Sequence, residues 1–144
     1  MENRFDMEFI GISENESLAR AITSAFAAML DPTVEELSEL KTAVSEAVTN
    51  AIVHAYPYEP GTVGLSGKIN GNTVYITVTD SGIGISDIDK AREPLYTGKP
   101  EEERSGLGFS IMESFCDRIE VMSALGEGTM VTLVKSFGSL KGES

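Results

Sequence analysis

Glu46 and Asn50 stand four residues apart in the stretch Glu46-Ala47-Val48-Thr49-Asn50-Ala51-Ile52-Val53-His54-Ala55-Tyr56. On a helix turning 100° per residue they fall within about 40° of each other. A carboxylate so placed can act as a general base, and a carboxamide oxygen can hold a hard cation such as Mg²⁺. Alone, the pair describes many solvated helix faces. Two further groupings follow downstream. Asp80-x-Gly82-x-Gly84 is a tight acidic turn; a carboxylate at a buried strand end is an acceptor for an exocyclic amine, and the glycines allow close backbone approach to a ligand. Ser105-Gly106-Leu107-Gly108 precedes an amphipathic run, so free N–H groups at a helix start favour an anion there. Lys99 and Arg104 stand just before it and add positive charge for phosphates. Each of the last two groupings is also ordinary turn or cap chemistry; their occurrence in sequence with Glu46 and Asn50 is what carries weight.

The elements that must position these groups are legible from periodicity. Phe5 to Phe9 alternates and predicts a strand. Ser13 with Glu16 forms a capping box that predicts a helix with Leu18, Ile22, Phe26 and Met29/Leu30 as its apolar stripe. Asp31-Pro32 ends it. A second capping box, Thr33 with Glu36, opens a long helix with Glu46 and Asn50 on one face and Leu37, Leu40, Val44, Ala47, Val48 and Ala51 on the other. Two alternating runs, Val63 to Ile69 and Val74 to Val78, flank Asn70-Gly71 and predict a hairpin. A charged stretch from 87 to 104 predicts a short helix to Glu93 and then a loop. A helix over 109–115, strands from Ile119 and from Thr129 to Lys135, and a frayed tail after Ser136 complete the chain. The order β-α-α-β-β-loop-α-β-β predicts an α+β fold, a two-layer sandwich with a mixed, mostly antiparallel sheet and helices on one face.

Composition sets the limits. A chain of 144 residues, 41% hydrophobic and 24% charged, is one globular domain, expected over 1–136 with 137–144 as tail. No run of about 18 apolar residues predicts a membrane span, and Met1 to Asp6 does not read as a signal peptide. Cys116 and His54 are the only cysteine and histidine, which excludes an internal disulfide, fits a reducing cytoplasm and leaves no zinc site. A net charge of −12 argues against nucleic-acid binding and fits a basic partner.

The three groupings, in this order, resemble the ATP-binding boxes of the Bergerat fold shared by gyrase, histidine kinases and related ATPases. Nearly the whole chain is similar to the small serine kinases that act as anti-sigma factors in endospore-forming bacteria. The segments carrying that likeness are Ser13-Glu-Asn-Glu-Ser-Leu-Ala-Arg20, Leu30-Asp-Pro-Thr33, Val44 to His54, and Lys99-Pro-Glu-x-Glu-Arg-Ser-Gly-Leu-Gly-Phe109. The resemblance implies ATP or ADP and Mg²⁺ as cofactors, with Asn50 as metal ligand and Glu46 as acceptor of a substrate serine's proton. It implies that Asp80, supported by Thr129, holds the adenine amino group, and that Gly82, Gly84, Gly106 and Gly108 let backbone approach the nucleotide. It makes Lys99 to Ser105 a lid with Arg104 toward the γ-phosphate, and places Arg20 on a partner-binding surface. It further implies a sigma factor of the sigma-F type as partner, an anti-anti-sigma factor as phosphorylated substrate, and a homodimer through the first strand and helix. Residues 58–67 do not align with confidence. Two other readings stay open: a nucleotide-gated binding module without transferase activity, and a general-stress anti-sigma kinase. A histidine kinase domain needs a phospho-accepting histidine on a separate helix pair, and His54 lies within the helix itself.

Overall fold

In the computed structural model, residues 1–53, 55–56, 59–84 and 106–138 are described. Strand β1 (Glu2–Ile10) leads into helix α1 (Glu14–Ala27), a 3₁₀ turn (Ala28–Leu30) and helix α2 (Val34–Val53). Strands β2 (Thr62–Asn70) and β3 (Thr73–Asp80), helix α3 (Gly106–Phe115), and strands β4 (Arg118–Ala124) and β5 (Gly128–Ser136) follow. The strands form one sheet in the order β1-β2-β3-β5-β4. Every pairing is antiparallel, so the parallel component of the expected mixed sheet is absent among the described strands. The α+β two-layer architecture is as expected.

The period-2 pattern of β2 and β3 sends Val63, Leu65, Ile69, Val74, Ile76 and Val78 to one face, where all are buried. They meet Leu40, Ala43, Val44, Ala47, Val48 and Ala51 of α2, also buried. Small side chains on α2 let it lie close to the sheet. Gly67 serves a different need: a methyl there would sit 2.3 Å from the Phe5 ring, which packs edge-on against Phe26 with centroids 4.8 Å apart. On the opposite face the Thr77 and Thr132 hydroxyls pair at 3.0 Å.

The hairpin is where the pattern put it, with its turn one residue later. Asn70 pairs with Thr73, so the loop is Gly71-Asn72. Gly71 has φ +68° and Asn72 stays out of the left-handed region, the arrangement of a type II′ turn with glycine first. The Gly71 N–H donates to the Met1 carbonyl at 3.0 Å, a contact with the far end of the chain that the local turn residues do not show.

The two capping boxes diverge. At α2 the Thr33 N–H donates to Glu36 Oε1 at 2.9 Å, and the Glu36 N–H donates to Thr33 Oγ1 at 3.0 Å. Burial pushes the Glu36 carboxyl up, but bonds from the Thr33 and Gly138 backbone N–H groups outweigh it and hold it below the usual range. Thr33→Ala is expected to cost about 1 kcal/mol, read by urea denaturation at pH 7. The contribution of the ionised Glu36 carboxylate is present above the ordinary glutamate value and is lost as pH falls through the lowered one. At α1 the box does not form: Ser13 is itself helical (φ −60°, ψ −30°) and makes no side-chain cap bond. Its would-be partner Glu16 turns instead to Arg20 and Ser45.

Chain order continues past Ser136, because Phe137 is fully buried and the Gly138 N–H donates to Glu36. Lys135, buried in the same corner, donates to Glu39 Oε1 at 3.2 Å and to the Phe115 carbonyl at 2.7 Å. Burial pushes the neighbouring Cys116 thiol up to about 12, against a lowering from Lys135, so it stays protonated and chemically quiet. No helix among the described residues is long and apolar enough to cross a membrane.

Candidate functional site

Helix α2 carries Glu46 and Asn50 toward the first turn of α3. A methyl added to Gly108 would lie 3.2 Å from Glu46 Oε1 and 3.7 Å from Asn50 Nδ2. The polar face of α2 is therefore turned toward the α3 backbone, where a side chain at position 108 would crowd the Glu46 carboxylate. Burial, and then the nearby charge of Glu16, raise the Glu46 carboxyl above the ordinary value of 4.5. Asn50 Nδ2 is buried without a hydrogen-bond partner among the described residues. An unsatisfied buried amide is costly to keep. Rotating the amide by half a turn exchanges its nitrogen and oxygen, so the same spot can donate to a phosphate or ligate a cation.

The other end of the cleft is built by the sheet. Asp80 ends β3 directly opposite Thr129 of β5. Asp80 Oδ1 accepts the Gly82 N–H at 2.9 Å. Ser123 Oγ donates to the Gly128 carbonyl at 2.8 Å and lies 2.7 Å from Thr129 Oγ1. A serine hydroxyl has one proton, so Thr129 is the donor of that pair and keeps an acceptor lone pair. Between the two ends run Ala47 and Ala51 of α2, Val78 and Val131 of the sheet and Phe109 of α3, enclosing about 10 Å³ with Asn50, Asp80 and Thr129. That is room for a single water. A larger open trough of about 560 Å³ crosses the helix-free face beside Asp6, Glu8, Ser66 and Thr79, but it lacks a helix start or glycine turn, so size alone is a poor guide here.

Gly82 and Gly84 have a packing role beyond the one read from sequence. A methyl on Gly82 would meet the Ala55 carbonyl oxygen at 2.2 Å, and one on Gly84 the Ala124 carbonyl oxygen at 2.0 Å. The turn after Asp80 is thus wedged between the end of α2 and the β4–β5 hairpin, sealed by Ile83 N–H to Ala55 (3.0 Å) and Gly126 N–H to Ile83 (2.6 Å). Tyr56 completes the clamp: its hydroxyl donates to the Thr62 carbonyl at 2.7 Å and accepts the Ser81 N–H at 2.8 Å. Sequence reading missed Tyr56 and Ser123. Nothing in their spacing marks them, since both act across turns that only the fold closes.

Gly106 and Leu107 open α3, three residues before the expected start at Phe109. Lys99, Arg104 and Ser105, the proposed lid, lie outside the described residues, as does His54. Arg20 sits on α1, with its side chain 41% exposed and its Nε 3.1 Å from Glu16 Oε2; it is well removed in sequence from the cleft residues yet bonded to a group that touches α2.

Residues 13–135 match the histidine kinase-like ATPase domain family. The anti-sigma F factor of Anoxybacillus flavithermus is 52% identical over 136 residues, covering 94% of this chain and 93% of its own. That of Pasteuria penetrans is 55% identical over 135 residues, covering 92% and 90%. Among solved structures, the RsbU and RsbW domains of a Mycobacterium tuberculosis protein superpose with a TM-score of 0.67 at 17% identity, over 94% of this chain and 32% of that one. The mycobacterial sensor histidine kinase MprB gives 0.55 at 18% identity, over 95% and 98%. Both share the fold. With half its residues identical over nearly full length to proteins of one kind, and with the cleft of a nucleotide-binding sandwich, the chain belongs to the anti-sigma F factors of the histidine kinase-like ATPase superfamily.

Proposed function

We propose that this protein is an ATP-dependent serine protein kinase that also sequesters a sigma factor of the sigma-F type. The observation that carries the reading is the cleft with Glu46 and Asn50 at one end and Asp80 and Thr129 at the other. Asp80 accepts from the adenine amino group, and Thr129 supports it with the lone pair that Ser123 leaves available. A Mg²⁺ ion held by one protein oxygen and the nucleotide's phosphates is usual for such sites, and the buried, unpaired Asn50 amide fits that ligand. When bound, it neutralises developing phosphate charge. The Gly106–Gly108 start of α3 directs backbone N–H groups at the phosphates, with Lys99, Arg104 and Ser105 closing over them. Glu46 accepts the proton of the attacking serine hydroxyl, and its raised carboxyl is tuned in the direction that base catalysis favours. Arg20 faces the partners, the protein acts as a cytoplasmic homodimer, and its protein substrate is an anti-anti-sigma factor.

γ-Labelled ATP incubated with this protein and an anti-anti-sigma factor should place label on one serine of the latter, located by mass spectrometry. Nucleotide-dependent association without label would support the binding-module reading, which needs Asn50 but can dispense with Glu46.

A further inference from the structure

Glu16 has a place in the fold that its failed cap does not explain. One carboxylate oxygen faces Arg20 Nε at 3.1 Å on the same helix. The other accepts the hydroxyl of Ser45 on α2, and Ser45 is the residue immediately before Glu46. Arg20 Nη2 is further held by Ser17 Oγ at 3.2 Å. The chain Arg20–Glu16–Ser45 therefore runs from an exposed guanidinium, across the α1–α2 contact, to the backbone that carries the base.

From this geometry we propose that Glu16 is a positioning residue for Glu46, through which an acidic group engaging Arg20 alters phosphoryl transfer. The inference rests on the kinase reading above. A guanidinium pairs readily with carboxylates, so an acidic partner side chain at Arg20 competes with Glu16 for the same charge. Glu16 then keeps Ser45 as its partner but loses its counter-ion, and the turn of α2 beneath Glu46 feels a different field and a different tether. Among the described residues, Glu16 on α1 is the charged group felt at Glu46, while α3 presents the Gly108 backbone. Misplacing a catalytic group by a fraction of its working distance is enough to slow a step severely.

Three variants separate positioning from docking. S45A cuts the link to α2 and leaves the Arg20 surface intact; E16Q removes the charge; E16D retains it. At saturating nucleotide and protein substrate, S45A and E16Q should each lower kcat by about tenfold, with nucleotide affinity within twofold of wild type and partial recovery in E16D. An increase in KM for the protein substrate with kcat unchanged would mean docking only, and would overturn the proposal. A double-mutant cycle on thermal stability reads the same link without any transfer assay: the stabilisation expected of E46Q should shrink measurably in the E16Q background, and by less than half, because burial is the larger cause of the raised carboxyl. Additive melting temperatures would overturn the coupling. If wild type labels no serine, the kinase reading fails, and the cycle still decides whether Glu16 and Glu46 are linked.

Discussion

Glu46→Gln is expected to lower phosphoryl transfer by about 10²–10⁴-fold, the range of a lost general base, while the protein still binds nucleotide and gains stability at pH 7. The stability gain follows from the direction of its titration. Burial first, and the charge of Glu16 second, raise the Glu46 carboxyl above 4.5 in the folded chain. A carboxyl raised on folding binds its proton more tightly in the native state, so stability falls as pH climbs from the ordinary value through the raised one. Above that window the ionised Glu46 opposes folding, and glutamine relieves it. Because the side chain is half-buried, solvent screens much of the effect, and a rise of roughly 1–3 °C in Tm is the scale for a domain this size. Below pH 4.5 the two proteins should melt together. Single-turnover transfer, nucleotide titration and calorimetry at pH 4 and pH 7 test all three parts. Equal loss of nucleotide binding and transfer would refute the base assignment, and a lower Tm at pH 7 would refute the electrostatic account.

Gly128→Ala is expected to be among the most damaging small substitutions away from Glu46. Gly128 has φ +86° and a methyl there would lie 2.1 Å from the Asp80 carbonyl oxygen and 2.8 Å from Ser81 Cα. The left-handed backbone costs a non-glycine residue about 1–2 kcal/mol, and forcing atoms into packed backbone adds about 1–3 kcal/mol. Against a total stability of about 5–15 kcal/mol, the variant should melt roughly 10 °C lower. It should also bind nucleotide poorly while still folded, since Asp80 is the group displaced. Gly126→Ala is the internal control: its φ is +81° but nothing stands within 4 Å of the added methyl. It should lose only the conformational part and leave nucleotide affinity alone. Should both variants melt alike, the contact with Asp80 is not what requires glycine at position 128. Gly84, with φ +77° and the Ala124 carbonyl 2.0 Å from a would-be methyl, should behave like Gly128.

These two expectations draw on different kinds of information. The helix bearing Glu46 and Asn50, its Thr33–Glu36 cap, the alternating strands of the hairpin and the body of α3 from Phe109 were all legible in the sequence; α3 itself begins three residues earlier, at Gly106. Local periodicity and short-range hydrogen bonding determine each of them within a few residues. The likeness to the anti-sigma serine kinases was legible for the same reason: its boxes are contiguous and ordered. What the sequence left open involved contacts between segments far apart. Ser13-x-x-Glu16 has the composition of a capping box, but tertiary packing brought Ser45 within reach, and a bond across two helices outcompeted a bond within one. Asn70-Gly71 marked a hairpin, yet the ladder closes at Asn70 and Thr73, with the Gly71 N–H donating to Met1, so the turn is Gly71-Asn72. The glycines after Asp80 were read as allowing close approach to a ligand; the fold adds a second need for them, since backbone from Ala55 and Ala124 stands where a methyl would go. Spacing alone made Glu46 and Asn50 a polar stripe on the outside of a helix. Only the closure of α3 against α2, which sets the Gly108 backbone against them, turns that stripe into the floor of a cleft, because burial depends on what the rest of the chain packs on top.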